Sequence, residues 1–434
     1  MDFSFSEFLW FSQKANPIKT ISTSICIVGA GPAGSTVALQ LNRLGIACTV
    51  IDKAKFPRDK VCGDGLSGKV ITILEKIDPE IAQRFRAFEN KQPSWGVSFV
   101  SPGRYAMPIP YKADYNKAVD KPIGFVCKRF HFDNFLVDEL KRATGIDLIE
   151  GIGIDTYEKV ENGYRLSDAQ GKLEVTCSLV IIANGAHSAF TKKHAKFSYT
   201  LHEYSAGVRG YFTNVKNLHS DQFIELHFLN QCLPGYLWIF PLPGGEANVG
   251  LDMLSSDVSR KKINLRKLLI ETIATDQALK ERFSEATLNG KVEGYGLPLA
   301  ARERKISGDN YMLVGDAAFM IDPLTGEGIG NAMYAGRIAA IHAAKCVNTK
   351  DYSSESLSTY DLELYRVLGP EFKLSKRLQK LAAYPRLFNW LMKRGSISRA
   401  LQTLISGMLY DVKLRKQLAS PRFYIRLLMQ KFYK

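Results

Sequence analysis

A glycine pattern at residues 29–34, GAGPAG, constrains the fold of this chain more than any other feature. The apolar run ICIVG leads into it, a segment with helical periodicity follows, and a second apolar run, IACTVID, ends at Asp52. A strand, a glycine-rich turn, a helix and a second strand closed by an acid form the βαβ unit that binds dinucleotides. The sequence therefore predicts an α/β protein built on a Rossmann-type fold.

Each glycine of this pattern has its own task in such a unit. Gly29 permits the tight turn, Gly31 lets the backbone approach a pyrophosphate at the helix N-terminus, and Gly34 lets helix and strand pack closely. Asp52 stands where a carboxylate accepts hydrogen bonds from an adenosine ribose. The alternative is a glycine-rich turn with a structural role alone. The strand, the helix and the acid in register favour dinucleotide binding.

A second motif indicates which dinucleotide is bound. The run YMLVGDAAFMIDPLTGEGIGNA, residues 311–332, places Gly315 and Asp316 at the end of a buried strand, ahead of further glycines and a long helix. It resembles the second FAD fingerprint of the flavoprotein family that includes para-hydroxybenzoate hydroxylase. The resemblance implies FAD as the cofactor, with Asp316 holding its ribityl chain. It also implies that the helix start directs backbone N–H groups at the flavin, from Gly328, Ile329 and Gly330.

Three other positions bear on the cofactor. Arg129, in KRFHFDNFL, matches a family arginine that reaches the FAD, although a surface ion pair is the alternative. Arg58 is assigned to the cofactor in the same way. The run VIIANGAHS, residues 180–188, has Asn184 where the family usually has aspartate, and the arginine expected after it is missing. This departure weakens the expectation of a cofactor contact there.

Two further blocks resemble the geranylgeranyl reductase branch of the family. One is the loop FPRDKVCGDGLSG, residues 56–68, and the other is PGYLWIFPLPGGEANVGL, residues 234–251. Together with PLTGEGI they extend the resemblance over roughly residues 21–350. The resemblance implies that the loop returns over the flavin and that Cys62 stands on the substrate side as a proton donor. Its glycines would let the backbone approach the flavin, and the alternative for Cys62 is a small buried hydrophobe.

The second block carries the aromatic motif of these reductases, YxWxFP. We expect Tyr236 and Trp238 to take part in catalysis by lining a channel for an apolar chain, because such rings combine a wide apolar face with a polar group. Ordinary core packing of the inserted sheet is the alternative. Related hydroxylases and halogenases carry partial versions of both blocks. Halogenases typically show WxWxIP, and this chain has Trp238 alone.

These motifs lead to one function and several alternatives. The first is an FAD-dependent oxidoreductase that reduces carbon–carbon double bonds of a prenyl or other lipid-like substrate by hydride transfer from reduced flavin. An FAD-dependent monooxygenase acting on an aromatic or polyketide-like substrate is the main alternative, and a flavin-binding sensor or scaffold is another. The chain has no second complete GxGxxG. We therefore expect the electron donor, NADPH or a reduced carrier protein, to dock transiently.

The same patterns predict the domain organisation. A discontinuous FAD-binding domain comprises residues 21–90, 122–195 and 296–350, after an N-terminal segment at 1–20. An inserted β-rich substrate domain comprises residues 91–121 and 196–295, and a basic helical C-terminal region comprises residues 351–434. Single helices are predicted over residues 69–90 and near residues 262–283.

Charge and cysteine content bear on location. The net charge is +15, and from Pro385 to Lys434 eleven Lys or Arg residues face one acid, Asp411, among many apolar residues. Such a segment suits peripheral contact with an anionic membrane on its inner face, although a solvated helical face is the alternative. No nucleic-acid-binding module accompanies the charge. The seven scattered cysteines indicate neither a metal site nor a disulfide framework, and with no secretory signal we expect a cytoplasmic protein.

Overall fold

The computed structural model describes residues 18–398 together with residues 402, 403 and 406. The strands in this part of the chain are, in order, β1 (Lys19–Val28), β2 (Cys48–Asp52), β3 (Gly65–Leu66), β4 (Gln92–Ser94), β5 (Gly96–Val100), β6 (Ala106–Pro110), β7 (Gly124–Val126), β8 (Ile146–Glu150), β9 (Thr156–Val160), β10 (Gly163–Ser167), β11 (Leu173–Ile182), β12 (Tyr204–Thr213), β13 (Ile224–His227), β14 (Leu237–Pro241), β15 (Glu246–Leu254), β16 (Thr287–Pro298), β17 (Ser307–Gly308) and β18 (Tyr311–Leu313).

The α-helices of the same residues are, in order, α1 (Pro32–Arg43), α2 (Gly68–Ile77), α3 (Pro79–Ala87), α4 (Arg129–Arg142), α5 (Ala189–Lys193), α6 (Ser255–Lys261), α7 (Leu265–Thr275), α8 (Gln277–Arg282), α9 (Ile329–Thr349), α10 (Ser354–Ala382) and α11 (Pro385–Ile397). Short 3-10 turns lie at Leu201–Glu203, Pro243–Gly245 and Gly315–Ala318.

The main sheet has the order β17-β18-β11-β1-β2-β8, with the β9–β10 hairpin attached to β11. Strands β18, β11, β1, β2 and β8 are parallel. The central strands contain buried apolar runs, residues 25–28 in β1 and residues 179–182 in β11, as expected for a parallel sheet that is covered on both faces. Because the strands are parallel, the carboxyl ends of β1, β2, β11 and β18 meet at one edge, which is where α/β sheets bind ligands. The expected α/β fold class, with a Rossmann-type core, is confirmed.

Helices α1 and α9 pack together on this sheet. A glycine in α9 makes the close approach possible, since a Cβ at Gly336 would lie 2.5 Å from the carbonyl oxygen of Ala33 in α1. The N-terminal ends of both helices point to the carboxyl edge of the sheet, because each follows directly from the loop after a strand of that sheet. Two helix N-termini, with their unpaired N–H groups, are thereby brought to one edge.

A second sheet of seven strands has the order β16-β12-β15-β14-β13-β5-β6. One face packs against α7 and α8 around Leu269 and Leu279. Another apolar cluster, with Tyr236, Trp238 and Phe240, lies around β5, β6, β13 and β14. Strands from residues 91–121 and from residues 196–295 share this sheet, whereas β4 joins β3 and β7 in a separate three-stranded sheet. The domain boundaries themselves stay a prediction.

Two helices that the sequence predicts as continuous are each broken by an aspartate. Asp78 separates α2 from α3, and its side chain accepts a hydrogen bond from the backbone N–H of Glu80. Asp276 separates α7 from α8 and accepts from the N–H groups of Ala278 and Leu279. An N-cap aspartate competes with continued helix for these groups, and Pro79 further disfavours helical backbone at Asp78. The single-helix predictions for 69–90 and 262–283 were therefore wrong.

The C-terminal region is helical as far as the structure describes it, in α10 and α11. Among the described residues no helix is long and apolar enough to cross a membrane. Most of the basic segment from Pro385 to Lys434 lies outside the described residues, so the predicted membrane contact of that segment stays a prediction.

Candidate active site

A cavity of about 840 Å³ opens at the carboxyl edge of the main sheet. Its wall includes the ends of β1, β2 and β11 on one side and residues of β12, β13 and β14 from the seven-stranded sheet on the other. Both fingerprints and both blocks of the reductase motif contribute to this wall. A cavity of this size lies in the range of cofactor and ligand sites.

The three glycines of the first fingerprint have different surroundings. Gly29 has a left-handed φ of +110°, and a Cβ there would overlap the carbonyl oxygen of Ala183. A Cβ at Gly34 would overlap the carbonyl oxygen of Gly29. At Gly31 the φ is −70°, and the one protein atom within 4 Å of a built Cβ is Nη2 of Arg58, at 3.7 Å. Packing therefore explains Gly29 and Gly34, whereas Gly31 leaves room for a ligand at the N-terminus of α1.

Asp52 closes β2 and supports this turn. Its Oδ2 accepts a hydrogen bond of 2.7 Å from the N–H of Ala30, and its Oδ1 accepts one of 2.8 Å from the N–H of Ala54. The carboxylate lines the cavity. Since each carboxylate oxygen can accept more than one hydrogen bond, Asp52 can hold the turn and still accept from a ribose hydroxyl.

Two arginines share one buried carboxylate beside Gly31. Arg129 forms two hydrogen bonds of 2.6 Å with Asp133, and Arg58 lies 2.6 Å from the same carboxylate. Burial alone would lower the pKa of Arg129, but the negative charge of Asp133 and its hydrogen bonds raise that pKa above its usual range. Both arginines line the cavity, Arg129 almost fully buried. The surface ion pair considered for Arg129 is therefore wrong, because the pair is internal. One carboxylate shared by two guanidinium groups leaves net positive charge beside Gly31, which suits a pyrophosphate.

The second fingerprint reaches the same cavity. Gly315 has a φ of +62°, and Asp316 follows it and forms an ion pair of 3.0 Å with Lys60. Gly328 and Ile329 line the cavity at the N-terminus of α9. Gly330 is not part of the cavity lining, and a Cβ there would lie 2.5 Å from Oε1 of Glu327. The predicted contact of its backbone N–H with the cofactor stays a prediction.

The loop of residues 56–68 also forms part of the wall, and Cys62 lines the cavity. Burial raises the pKa of Cys62, and the positive charge of Arg129 partly opposes this. Of the seven cysteines, all of them free and all described, Cys62 is the one that is not fully buried. The thiol is thus neutral at physiological pH and accessible from the cavity.

The glycines of this loop serve protein packing. A Cβ at Gly63 or Gly65 would lie 3.2 or 3.1 Å from the ring of Phe240, and a Cβ at Gly68 would lie 2.6 Å from Ile123. Gly63 and Gly65 also line the cavity, so the expectation that the loop glycines let the backbone approach the flavin stays a prediction. Their physical role is to let Phe240 of the aromatic motif pack directly on the Cys62 loop.

The aromatic motif lies in β14 and just before it, on the cavity wall. Tyr236, Trp238 and Phe240 line the cavity and pack in the apolar cluster around it. The hydroxyl of Tyr236 donates a hydrogen bond of 2.5 Å to the carbonyl oxygen of Thr325, in the second fingerprint. The motif therefore both packs in the core and faces the cavity, so the two alternatives stated for it are compatible.

Sequence reasoning did not identify Asp64, which lies between Gly63 and Gly65. Its side chain is fully buried, and its φ of +65° is left-handed. Oδ2 accepts hydrogen bonds of 2.8 Å from the hydroxyl of Tyr211 and from Nδ2 of Asn248. A signal was present, because an aspartate between two glycines suits a left-handed turn. The partners Tyr211 and Asn248 carry no local signal.

Asn184 is the second unexpected feature. It lines the cavity, and its Oδ1 atom is buried without a hydrogen-bond partner in the protein. A buried acceptor without a partner costs free energy unless a ligand or water supplies a donor. Despite its departure from the family pattern, this position therefore fits a cofactor contact. Together with the open space at Gly31, the basic pair Arg58–Arg129 and the start of α9, it makes the wall a suitable host for FAD.

Comparison with known proteins agrees with this geometry. The family described as FAD binding domain matches residues 22–364. A menaquinone reductase of Mycobacterium tuberculosis is 30% identical over 84% of this chain and 85% of its own length. A digeranylgeranylglycerophospholipid reductase of Methanococcus vannielii is 30% identical over 83% of this chain and 87% of its own length.

Solved structures share the fold. A geranylgeranyl bacteriochlorophyll reductase-like protein of Thermoplasma acidophilum superposes with a TM-score of 0.80, at 22% identity, over 95% of this chain and 99% of that one. A flavin-dependent brominase superposes with a TM-score of 0.73, at 20% identity, over 94% of this chain and 100% of that one. At this level of identity the likeness concerns the fold alone.

Proposed function

Because this chain belongs to the FAD-binding flavoprotein family, in its geranylgeranyl reductase branch, we propose that it reduces carbon–carbon double bonds of a prenyl or other lipid-like substrate. It is an FAD-dependent oxidoreductase, and the proposal concerns the bond that it reduces. The observation that carries the proposal is the shared wall of one cavity. The fingerprints, the thiol of Cys62 and the aromatic motif all line it.

Reduction of a double bond needs a hydride and a proton, and reduced FAD supplies the hydride when it is bound. The chain itself must then hold the proton. Cys62 is suited to this, because burial raises the pKa of its thiol and so keeps the proton on sulfur at neutral pH. A positioned proton donor contributes roughly 10²–10⁴-fold to a rate.

The apolar part of the wall supports a lipid-like substrate. Besides Tyr236 and Trp238 it includes Phe99, Ile224 and Leu226. These side chains offer a long chain an environment without charge and exclude water from the thiol. One relative is called a menaquinone reductase and the other a digeranylgeranylglycerophospholipid reductase. Both names are consistent with a lipid-like substrate. The electron donor, NADPH or a reduced carrier protein, belongs to the same proposal.

Helix α11 supports access from a membrane. Its Phe388 ring packs against that of Phe228, with centroids 4.9 Å apart, in the cluster that contains Tyr236 and Trp238. Elsewhere on the helix Leu387 and Ile397 are 44% and 77% exposed, and Arg386 and Lys393 are exposed as well. Exposed apolar and basic side chains on one helix suit the surface of an anionic bilayer. The helix would hold the aromatic side of the cavity near the lipid.

The test separates the two half-reactions of the flavin. We expect Cys62→Ser to bind FAD and to be reduced by its donor at the wild-type rate. Its re-oxidation by lipid should slow by about 10²-fold or more, because the proton donor is lost. The matched control is Cys346→Ser, a buried thiol that does not line the cavity. It should leave both half-reactions unchanged.

Products decide the reaction class. The reduced protein is incubated with a host lipid extract, with and without oxygen, and the products are analysed by mass spectrometry. The proposal expects two added hydrogens per double bond, independently of oxygen. Incorporation of an oxygen atom, together with unchanged turnover of Cys62→Ser, would instead indicate a monooxygenase.

A further inference from the structure

Asp64 connects three elements of the cavity wall. Besides Tyr211 and Asn248, it accepts a hydrogen bond of 3.2 Å at Oδ1 from the backbone N–H of Arg129, the first residue of α4. Its own backbone carbonyl oxygen accepts a hydrogen bond of 2.9 Å from the N–H of Cys127. The carboxylate thus accepts hydrogen bonds from residues of β12, β15 and α4. Such complete hydrogen bonding is what a buried polar group requires.

Asn248 extends this connection to Cys62 and to Trp238. Its Nδ2 donates a hydrogen bond of 2.7 Å to the carbonyl oxygen of Cys62, as well as one to Asp64. Its Oδ1 accepts a hydrogen bond of 2.8 Å from the indole N–H of Trp238. One amide therefore joins the thiol residue, the buried carboxylate and the aromatic motif. The orientation of that amide follows from Asp64, which accepts from its nitrogen and could not accept from its oxygen.

The position of Asp64 also bears on the charge of the Cys62 thiol. Burial raises the pKa of Asp64 to about 6, opposed by its hydrogen bonds from Asn248 and Tyr211, so the group is an anion at neutral pH. Burial raises the pKa of Cys62 most, and the charge of Asp64 raises it further, while Arg129, a backbone hydrogen bond from Asp64 and Lys60 lower it. The other titratable or charged groups that interact with Asp64 are Asp59, Cys127, Arg209 and Tyr211, and Tyr236 interacts with Cys62.

We propose that Asp64 is a positioning residue: through Asn248 its carboxylate fixes the Cys62 loop against Trp238, and its negative charge adds to burial in keeping Cys62 a neutral thiol beside two cations. The inference rests on the proposed function in one respect, that Cys62 holds the proton for the substrate. Arg129 and Lys60 favour the thiolate, which has no proton to give, and the charge of Asp64 adds to the effect of burial in opposing them. The nearby anion offsets those cations.

Asp64→Asn tests the charge with little change of shape. Asparagine tolerates a left-handed backbone, so the turn at residue 64 can persist. Its amide oxygen can still accept from Tyr211 and Asn248. The loss of the negative charge should lower the pKa of Cys62, and the alkylation should therefore become faster at any pH below both midpoints.

The measurement is the rate of iodoacetamide alkylation of the holoenzyme between about pH 6 and about pH 10, a range that brackets the ordinary thiol pKa of about 8.5. Labelling that disappears in Cys62→Ser is assigned to Cys62. Asp59→Asn is the matched control, since Asp59 lies in the same loop but pairs with Arg209. We expect it to leave the alkylation midpoint of Cys62 unchanged.

The shape of the profile separates the charge from accessibility. A looser loop would raise the alkylation rate equally at every pH, whereas loss of the charge moves the midpoint. An unmoved midpoint in Asp64→Asn overturns the inference. The wild type gives a test that does not depend on the folding of a variant, because a Cys62 midpoint below about 8.5 would also overturn it. Normal turnover of Cys62→Ser would remove the proposed proton donor without affecting this result.

Discussion

Replacement of Gly31 by valine should separate cofactor binding from folding. Gly31 has a φ of −70° and a ψ of −177°, an extended conformation that any residue adopts. A Cβ built there meets Nη2 of Arg58 at 3.7 Å, an ordinary van der Waals contact, and no other protein atom within 4 Å. The protein without flavin should therefore keep its stability within about 1 kcal/mol, or gain slightly because glycine is more flexible when unfolded.

The effect should fall on FAD. The new side chain projects into the cavity at the N-terminus of α1, where the backbone of a fingerprint approaches the pyrophosphate. We expect the affinity to fall by at least about 100-fold, equivalent to about 2.7 kcal/mol. FAD at 100 times its dissociation constant stabilises a folded protein by about 2.7 kcal/mol. At the same FAD concentration Gly31→Val should lose nearly all of that increment.

Two measurements give the answer. One is the visible flavin absorbance per chain after gel filtration, and the other is chemical unfolding with and without added FAD. Gly34→Ala is the control, because its Cβ would overlap the carbonyl oxygen of Gly29 and would lie 3.1 Å from the Cβ of Ala183. It should destabilise the flavin-free protein by about 1–3 kcal/mol or more.

Either of two results would refute the reasoning. Gly31→Val that retains wild-type flavin content would mean that no pyrophosphate lies against residue 31. Gly31→Val that is as unstable without flavin as Gly34→Ala would mean that the space beside Gly31 is not open.

Two other predictions concern stability and the membrane. Burial alone would raise the pKa of Glu225, but hydrogen bonds from His227 and Arg282 lower it to about 2. The stabilisation of the folded protein by the Glu225 carboxylate is therefore complete above the unfolded-state pKa of about 4.3 and is lost as the pH falls toward 2. Glu225→Gln should cost about 3 kcal/mol at pH 7 and less below about pH 4 in urea unfolding, and an equal cost at pH 3 and pH 7 would contradict this. The segment from Pro385 to Lys434 should bind anionic vesicles and lose them as salt rises, because charges are screened over roughly 10 Å at 0.1 M salt; equal binding to neutral vesicles, or none, would count against it.

The cofactor half of the site could be predicted from the sequence because its signals are local. A strand, Gly29, Gly31, Gly34 and Asp52 follow one another in a single βαβ unit, so their order along the chain places them at one edge of the sheet. The same holds for Gly315 and Asp316 before α9. Local order did not show which side chains pack against these glycines. The closeness of Gly330 to Glu327, and of Gly63 and Gly65 to Phe240, depends on which side chain the fold places opposite them.

The other half depended on contacts between distant segments. Asn248 is 184 residues from Asp64, and Tyr211 is 147 residues from it. Each lies on a strand of the seven-stranded sheet, and only the packing of that sheet against the Cys62 loop brings them to one carboxylate. A buried carboxylate acquires its charge state from the groups that surround it. The sequence determined that a flavin-type fingerprint and a thiol belong to this chain, and the tertiary structure decided which groups surround Asp64, because only the fold brings the donors of distant strands to that carboxylate.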